Sequence, residues 1–424
     1  MLTDYSKALR LFSRDVRLFL ITSALFGFCF MGIYAVALNL YLLRLGYGPE
    51  FVGLVIAAVG LAFAIFSLLA GEFGRRWGTR RMMIVGMSLG ATGLGLPPFA
   101  EFLSTSLRSG WLIVTYSLGW LGAALYLVNA DVFLINTTSP AERSHVFSMQ
   151  AALGPLASVA GSLVGGLLPE FFSSISHVSL EHPAPYSYAL LTAAVLFVPT
   201  VPVLLATHEV GTASTSETVS ETGSAPYGLI AFLVVVQLLQ GAGEGAGRTF
   251  FNVYLDVDLH SPTYQIGALL AVGNLLAVPA ALITPIAIGR WGDGRIFIWA
   301  SLGITLSLVP LALIPHWIAA GCGFVGMMAL TSVWRPAFVL YRMRIVSPGW
   351  RAIMNGATNM ALGLSYFTMS LGGGYVVTAL GYPSLFLAGA GMTAVGALLF
   401  WAYFRDPVWD VLPDAPFQEQ EGVS

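Results

Sequence analysis

Four charged side chains interrupt long apolar runs of the chain, and these are the residues most able to do chemistry. Glu244 and Arg248 lie four residues apart, so on a helix they share a face. Asp131 and Arg335 lie near the ends of two other apolar runs. An ionisable group inside a membrane is costly and usually faces a cavity. We therefore take Glu244 and Asp131 as the candidate proton-coupling acids.

The stretch around Glu244 also has a structural interpretation. Four glycines between positions 241 and 247 weaken a helix by about 1 kcal/mol each relative to alanine, which favours a flexible gate helix. Alternatively, the glycines allow close helix packing, and Glu244 and Arg248 form an ion pair within one helix.

Asp131 and Arg335 each have two interpretations as well. Asp131 can bind a proton, or it can pair with Arg75 or Arg76. Arg335 precedes Pro336, whose ring distorts a helix and would turn the guanidinium inward. A long basic side chain near a helix end can instead extend to the aqueous interface.

Uncharged polar side chains in the same runs are candidates for hydrogen bonds to a solute. Such side chains more often bond a neighbouring helix or lie in the interfacial aromatic belt. Together with the two arginines, the candidate solute-binding residues are Tyr34, Asn39, Asn129, Arg248, Asn252, Arg335 and Asn359.

The composition requires lipid as the solvent. Charged residues make up 9% of the 424 residues and hydrophobic residues 57%, whereas a soluble domain carries about 25% charged residues. The net charge of −2 and the lack of a basic face give no support for nucleic-acid binding. Cys29 and Cys322 are isolated thiols, so we expect neither a disulfide nor a metal site. No phosphate-binding loop, zinc-ligand spacing or nucleophile–base set is present, so we expect no enzyme and no cofactor.

Twelve apolar runs are each close to the length of about 20 residues that spans a bilayer. Because backbone groups in lipid must be satisfied internally, the predicted fold is all-α. The predicted spans are 18–43, 51–71, 82–103, 111–136, 145–169, 186–206, 227–255, 264–289, 296–314, 317–341, 353–380 and 383–404.

Repeated motifs divide the spans into two matching sets of six. The sequence Asn39-Leu40-Tyr41-Leu42 in span 1 is matched by Asn252-Val253-Tyr254-Leu255 in span 7. Parallel halves of this kind place a solute site between them near the midplane. The predicted division is an N-terminal segment at 1–17, a six-helix bundle at 18–206, a polar linker at 207–225, a second bundle at 226–404 and a tail at 405–424.

The basic residues predict the orientation. Of 19 Lys and Arg residues, 15 fall on the side of the N-terminus, two on the other side and two within spans. Cytoplasmic loops carry this excess, so both termini should be cytoplasmic in an inner or plasma membrane.

A short basic stretch, 71–81, separates spans 2 and 3 and has a counterpart at 289–295 between spans 8 and 9. It resembles the loop 2–3 signature of the major facilitator superfamily, Gly-x-x-x-Asp-Arg-x-Gly-x-Arg-Arg. Arg75 stands where that signature has an acid, so Glu72 or Asp131 would have to replace it. The predicted cytoplasmic gate comprises Gly71, Arg75, Arg76, Gly78, Arg80, Arg81, Arg290, Gly292 and Arg295.

The resemblance implies a monomeric secondary transporter that works by alternating access, with spans 1, 4, 7 and 10 around a central cavity. The predicted partners are a small solute, protons and membrane lipid. We expect efflux of a small, partly apolar solute, since the cavity spans carry few charges, and we expect one intramembrane acid to couple this efflux to protons. The alternatives are a sugar-type importer or facilitator and, from another class, a lipid flippase or a receptor that does not transport.

Overall fold

The computed structural model describes residues 13–138, 140–208, 227–346 and 350–404. Within these ranges the chain is almost entirely helical and contains no β-strand, which confirms the predicted all-α class. A helix satisfies its own backbone hydrogen bonds, which lipid cannot do. The predicted N-terminal segment, linker and tail lie wholly or mostly outside the described residues.

The helices follow one another through short connections. Most exceed the predicted spans by several residues at one or both ends, because the polar ends of each helix continue beyond the apolar run. In chain order they are α1 Arg14–Arg44, α2 Pro49–Trp77, α3 Thr79–Gly95, α4 Thr105–Thr137, α5 Pro140–Ser176, α6 Ala184–Leu205, α7 Tyr227–Val257, α8 Thr263–Trp291, α9 Asp293–Leu313, α10 Trp317–Ile345, and α11 with α12 in the run Arg351–Phe404.

The last helical run contains two membrane spans. Its apolar part extends over 52 residues, or about 78 Å at 1.5 Å per residue, whereas the hydrocarbon core is about 30 Å thick. The run is broken at Gly381, whose φ of 82° is the left-handed value that favours glycine. The described parts of the chain therefore contain twelve spans, as the apolar runs predict.

The first helix changes its winding near its centre. It is α-helical to Leu25, π-helical over Phe26–Ile33 and α-helical again to Arg44. Two glycines in the π-helical part contact α5 directly. A β-carbon on Gly27 would lie 2.4 Å from the carbonyl oxygen of Gly154, and one on Gly32 would lie 2.6 Å from the Cα of Gly161. This backbone contact fixes α1 against α5.

Single glycines join α2 to α3 and α8 to α9. Gly78 has a φ of 91° and Gly292 a φ of 81°, so both adopt a conformation that L-residues rarely take. Each glycine ends one helix and begins the next. We call these two joints the basic corners, and the side of the molecule where they lie the basic side.

The two halves, α1–α6 and α7–α12, meet on the side opposite the basic corners. Asn39 of α1 bonds Asn252 of α7 there, and Arg44 bonds Asp256. Nearer the middle, the Asn274 amide of α8 lies 3.4 Å from the Ser158 hydroxyl of α5. Among the described residues, every hydrogen bond between the halves lies on that opposite side or near the middle. The structure is therefore closed on the opposite side, and no hydrogen bond between the halves is described on the basic side.

Candidate functional site

Glu244 lies at the centre of a cluster of charged side chains contributed by α7 and α10. Its carboxylate side chain is only 2% exposed. Arg248, one turn along α7, donates from Nε to Oε1 at 2.7 Å. Arg335 of α10 donates from Nη2 to both carboxylate oxygens at 2.9 Å. The structure thus brings together three of the predicted residues, and we call Glu244, Arg248 and Arg335 the charged triad.

Polar side chains of neighbouring helices surround the triad and fix its position. Arg335 also donates from Nη2 to the Tyr366 hydroxyl of α11 at 3.0 Å. The Trp334 indole N–H donates to Gln240 Oε1 at 3.2 Å, and Gln240 donates to the carbonyl of Thr393 on α12. Four helices of the second half therefore position the triad. The sequence predicted no role for Gln240 or Trp334 because their spacing carries no signal.

The arginines of the triad face an internal space. In the stretch 240–255, Arg248 is the one residue that is not buried. A lipid-facing helix would expose a residue on every turn, so a single exposed cation among buried neighbours lies on an internal wall. The Arg248 and Arg335 side chains are 42% and 41% exposed, whereas Glu244 lies behind them. On α1, Ala35 is similarly exposed between buried neighbours.

The glycines around Glu244 serve close packing. A β-carbon on Gly243 would lie 2.7 Å from the Thr393 hydroxyl, and one on Gly247 would lie 2.6 Å from the Met327 sulfur. Helix α7 remains regular throughout. The structure thus shows both the ion pair and the close packing of the structural interpretation, although the pair also extends to α10.

Asn39 and Asn252 bond each other instead of facing the internal space. Asn39 Nδ2 donates to Asn252 Oδ1 at 3.0 Å and to the carbonyl of Thr249 at 3.1 Å. Both side chains are buried. In this conformation they hold α1 against α7, and their contact with a solute stays a prediction.

None of the other predicted solute-binding residues has a described hydrogen bond to the triad. Tyr34 is fully buried, donates to the carbonyl of Leu94 and stacks on Tyr116. Asn129 is buried and donates to the carbonyl of Ala70 at 3.1 Å, which holds α4 against α2. Asn359 is exposed on α11.

An ion pair between the halves was not predicted from the sequence. Arg44 donates through Nη1 and Nη2 to the two oxygens of Asp256 at 2.7 and 2.8 Å. The side chains are only 16% and 8% exposed. Within its own half, Arg44 also donates to the carbonyl of Leu180 and lies 5.5 Å from the centre of the Tyr186 ring.

At the first basic corner, the acid that contacts the arginines is Glu72. Arg75 donates to both Glu72 oxygens at 2.7 and 2.8 Å, and Arg76 also bonds Glu72. These hydrogen bonds lower the pKa of Glu72 to about 2. The predicted pairing of Asp131 with Arg75 or Arg76 is absent among the described contacts, and Asp131 is exposed on α4.

One arginine of this corner binds the end of a neighbouring helix. Arg80 donates to the carbonyl of Leu205 at 2.7 Å, at the C-terminus of α6. A cation there complements the helix dipole.

At the second basic corner, the buried Asp293 bonds Arg344 of α10. Arg290 lies 5.1 Å from the centre of the Trp291 ring, and Arg295 is exposed. The remaining members of the predicted gate lie in the same two corners: Gly71, Gly78, Arg81 and Gly292.

Comparison with known proteins agrees with this architecture. The chain is 30% identical over 125 residues to the major facilitator superfamily multidrug transporter mfsC of Aspergillus fumigatus, a match that covers 29% of this chain but only 23% of that protein. It is 24% identical over 352 residues to the multidrug resistance protein MdtH of Aeromonas hydrophila, covering 78% of this chain and 79% of MdtH. A mutant of the nucleoside transporter NupG superimposes with a TM-score of 0.76 at 17% identity, covering 92% of this chain and all of that one. The sequence model of the Major Facilitator Superfamily matches residues 18–369, and the chain therefore belongs to this superfamily of membrane transporters.

Proposed function

We propose that the chain is a secondary active transporter that exports a small solute by alternating access, in exchange for protons. The observation that carries the proposal is the charged triad, in which a buried carboxylate holds two exposed arginines on an internal wall. We place the basic side in the cytoplasm, with both chain termini there, and the protein in the plasma membrane as a monomer. With that placement the described contacts between the halves lie on the outer side, which supports an inward-facing state whose cavity receives solute from the cytoplasm.

The proposed direction has support from outside the structure. Curated relatives of the chain, including MdtH, are named as multidrug resistance proteins. Export against a gradient needs a source of energy, and an intramembrane carboxylate supplies a proton-binding group. In the proposed cycle the two halves rock about the triad, and the contacts between Arg44 and Asp256 break as the cytoplasmic side closes.

Protons and solute would bind alternately because Glu244 positions the two arginines. When Glu244 is ionised, its charge offsets their mutual repulsion. When it is protonated, that repulsion is no longer offset. Two unit charges about 6 Å apart repel by about 3 kcal/mol at an effective dielectric constant of 20. Protonation should therefore separate Arg248 from Arg335 and break up the arrangement of the two guanidinium groups that binds the solute. Exchange requires that this loss outweigh the positive charge that protonation adds to the site.

The proposal is tested in everted membrane vesicles whose interior is acidified and monitored with a fluorescent reporter of the pH gradient. Amphiphilic anions, cations and neutral solutes are added in turn. We expect at least one of them to dissipate the gradient in vesicles that contain the protein, and Glu244→Gln to abolish the response. Asp131→Asn is the matched control for the other candidate acid. Solute movement that is independent of the pH gradient and unchanged by Glu244→Gln would refute proton exchange.

A further inference from the structure

We propose that the charged triad, acting within the proposed transport function, binds a solute with one negative charge and an aromatic or apolar ring. Glu244 contributes one negative charge and the two arginines two positive charges, so the triad has a net charge of +1. One anionic group would neutralise it. A cation would raise the charge to +2, and a dianion would reverse its sign.

The two guanidinium groups retain donors for such an anion. Among the described contacts, Arg248 uses only Nε, and its side chain is 42% exposed. Every described hydrogen bond of Arg335 uses Nη2, which leaves Nη1 for a solute, whereas its Nε is buried. A guanidinium presents paired N–H groups whose geometry matches the two oxygens of a carboxylate. A solute carboxylate can therefore bind in front of the arginines while Glu244 remains behind them.

An aromatic group lies in the first half at the same depth as the triad. Trp120 of α4 contacts Phe30 of α1 and Phe63 of α2, with ring centres 5.1 and 5.7 Å apart and nearly perpendicular planes. Trp120 and Phe63 are partly exposed. We call these three residues the aromatic wall.

The depth follows from the contact between Asn39 and Asn252, which sets the register of α1 against α7. Phe30 precedes Asn39 by nine residues, and Glu244 precedes Asn252 by eight. At the α-helical rise of 1.5 Å per residue, Glu244 lies about 12 Å towards the basic side from the asparagines. Phe30 lies at most about 14 Å from them in the same direction, because the π-helical part of α1 rises less per residue. The aromatic wall and the triad are therefore on opposite halves at one level, which suits a solute that is charged at one end and apolar at the other.

The inference is tested by equilibrium binding to the purified full-length protein, without any gradient. The probes share one ring and differ in charge: 2-naphthoate, 2-naphthamide, 2-naphthylmethylammonium and naphthalene-2,6-dicarboxylate, with acetate as the anion that lacks a ring. We expect 2-naphthoate to bind at least tenfold more tightly than each of the others. Equal binding of the amide, or tighter binding of the ammonium compound, would overturn the inference.

Two substitutions locate the site. Arg248→Gln should weaken 2-naphthoate binding about 10- to 100-fold, the range for a hydrogen bond to a charged group, while binding of the amide changes little. Trp120→Leu should weaken binding of both ring compounds, whereas Trp299→Leu, at a tryptophan that is 52% exposed on α9, should not. Undiminished 2-naphthoate binding by Arg248→Gln would place the anion elsewhere and overturn the inference.

The outcome is separable from that of the proposed function. If 2-naphthoate binds selectively but no probe dissipates the pH gradient, the anion site stands and proton exchange fails. If a neutral or cationic probe is exchanged for protons and the monoanion has no advantage in binding, the exchange stands and the anion site fails.

Discussion

The ion pair between Arg44 and Asp256 gives the sharpest test of how the closed side opens. The informative substitution is Asp256→Asn, because Arg44 also bonds Leu180 and lies against Tyr186 within its own half. Those contacts remain when the halves separate, whereas the bond to Asp256 cannot. In the proposed cycle, replacing the carboxylate with an amide therefore removes an interaction that stabilises only the inward-facing state.

The magnitude follows from the geometry of the pair. Removing one partner of a fully buried ion pair costs about 3–5 kcal/mol, whereas an exposed pair contributes about 0–1 kcal/mol. This pair is bidentate, and its Arg44 and Asp256 side chains are 16% and 8% exposed, so it lies between the two cases. We therefore take the loss of stabilisation in Asp256→Asn as about 2 kcal/mol. Since 1.4 kcal/mol is a factor of ten, the population of the outward-facing state should rise about 30-fold.

The assay is labelling of a cysteine at the exposed position Ala35 by a thiol reagent that cannot cross the membrane, applied to intact cells. The background carries Cys322→Ser, because Cys322 is exposed, whereas Cys29 is buried. We expect the labelling rate to rise about 30-fold in Asp256→Asn while the outward-facing state is a minor species. Asp258→Asn is the control, since it removes the same charge two residues away at an exposed site. Equal rates in both variants would refute the role of the ion pair.

Three further predictions concern the triad, the first basic corner and the packing of α1. Glu244→Gln should abolish solute accumulation driven by a pH gradient in proteoliposomes while binding stays measurable, because the amide imitates the protonated acid; full accumulation would make Asp131 the leading proton site. The pKa of Glu72 is lowered to about 2, so Glu72 stays ionised from pH 5 to 8. Glu72→Gln should therefore leave the shape of the pH profile of transport unchanged. A shifted profile would contradict this. Gly161→Ala should lower the free energy of unfolding by about 1–3 kcal/mol, measured by thermal denaturation, because its β-carbon would lie 2.1 Å from the carbonyl oxygen of Phe28. Gly154→Ala, whose β-carbon meets nothing within 4 Å, is the matched control.

The helices and the pairing of Glu244 with Arg248 could be predicted from the sequence because both depend on local patterns. Apolar length predicts a span, and spacing of four residues brings Glu244 and Arg248 together. The contact of Arg335 with Glu244 depends on how α10 rotates against α7, which no local pattern records. Arg335 was selected only because a charge inside a span is costly.

The asparagines show a different limit. Asn39 and Asn252 occupy equivalent positions in the repeated motifs, 213 residues apart. The sequence predicts that each contacts a solute, which stays a prediction, but it did not predict that they contact each other. Two halves related by an axis bring equivalent positions near that axis against each other, so the amides bond across it. The repeat suggests this contact only if α1 and α7 are already known to lie beside the axis.

The basic corners limit how the basic side can close. Gly78 and Gly292 are each the single residue between two long helices, so neither joint has spare length with which to act as a flap. The backbone can bend there, but two Cα–Cα steps of about 3.8 Å each, from the end of one helix to the start of the next, are too short to let one helix slide far along the other. Helices α2 and α3 should therefore tilt together as one rigid unit, and α8 and α9 as another. Closure then depends on rotation of whole helices, and the arginines at the corners travel with them.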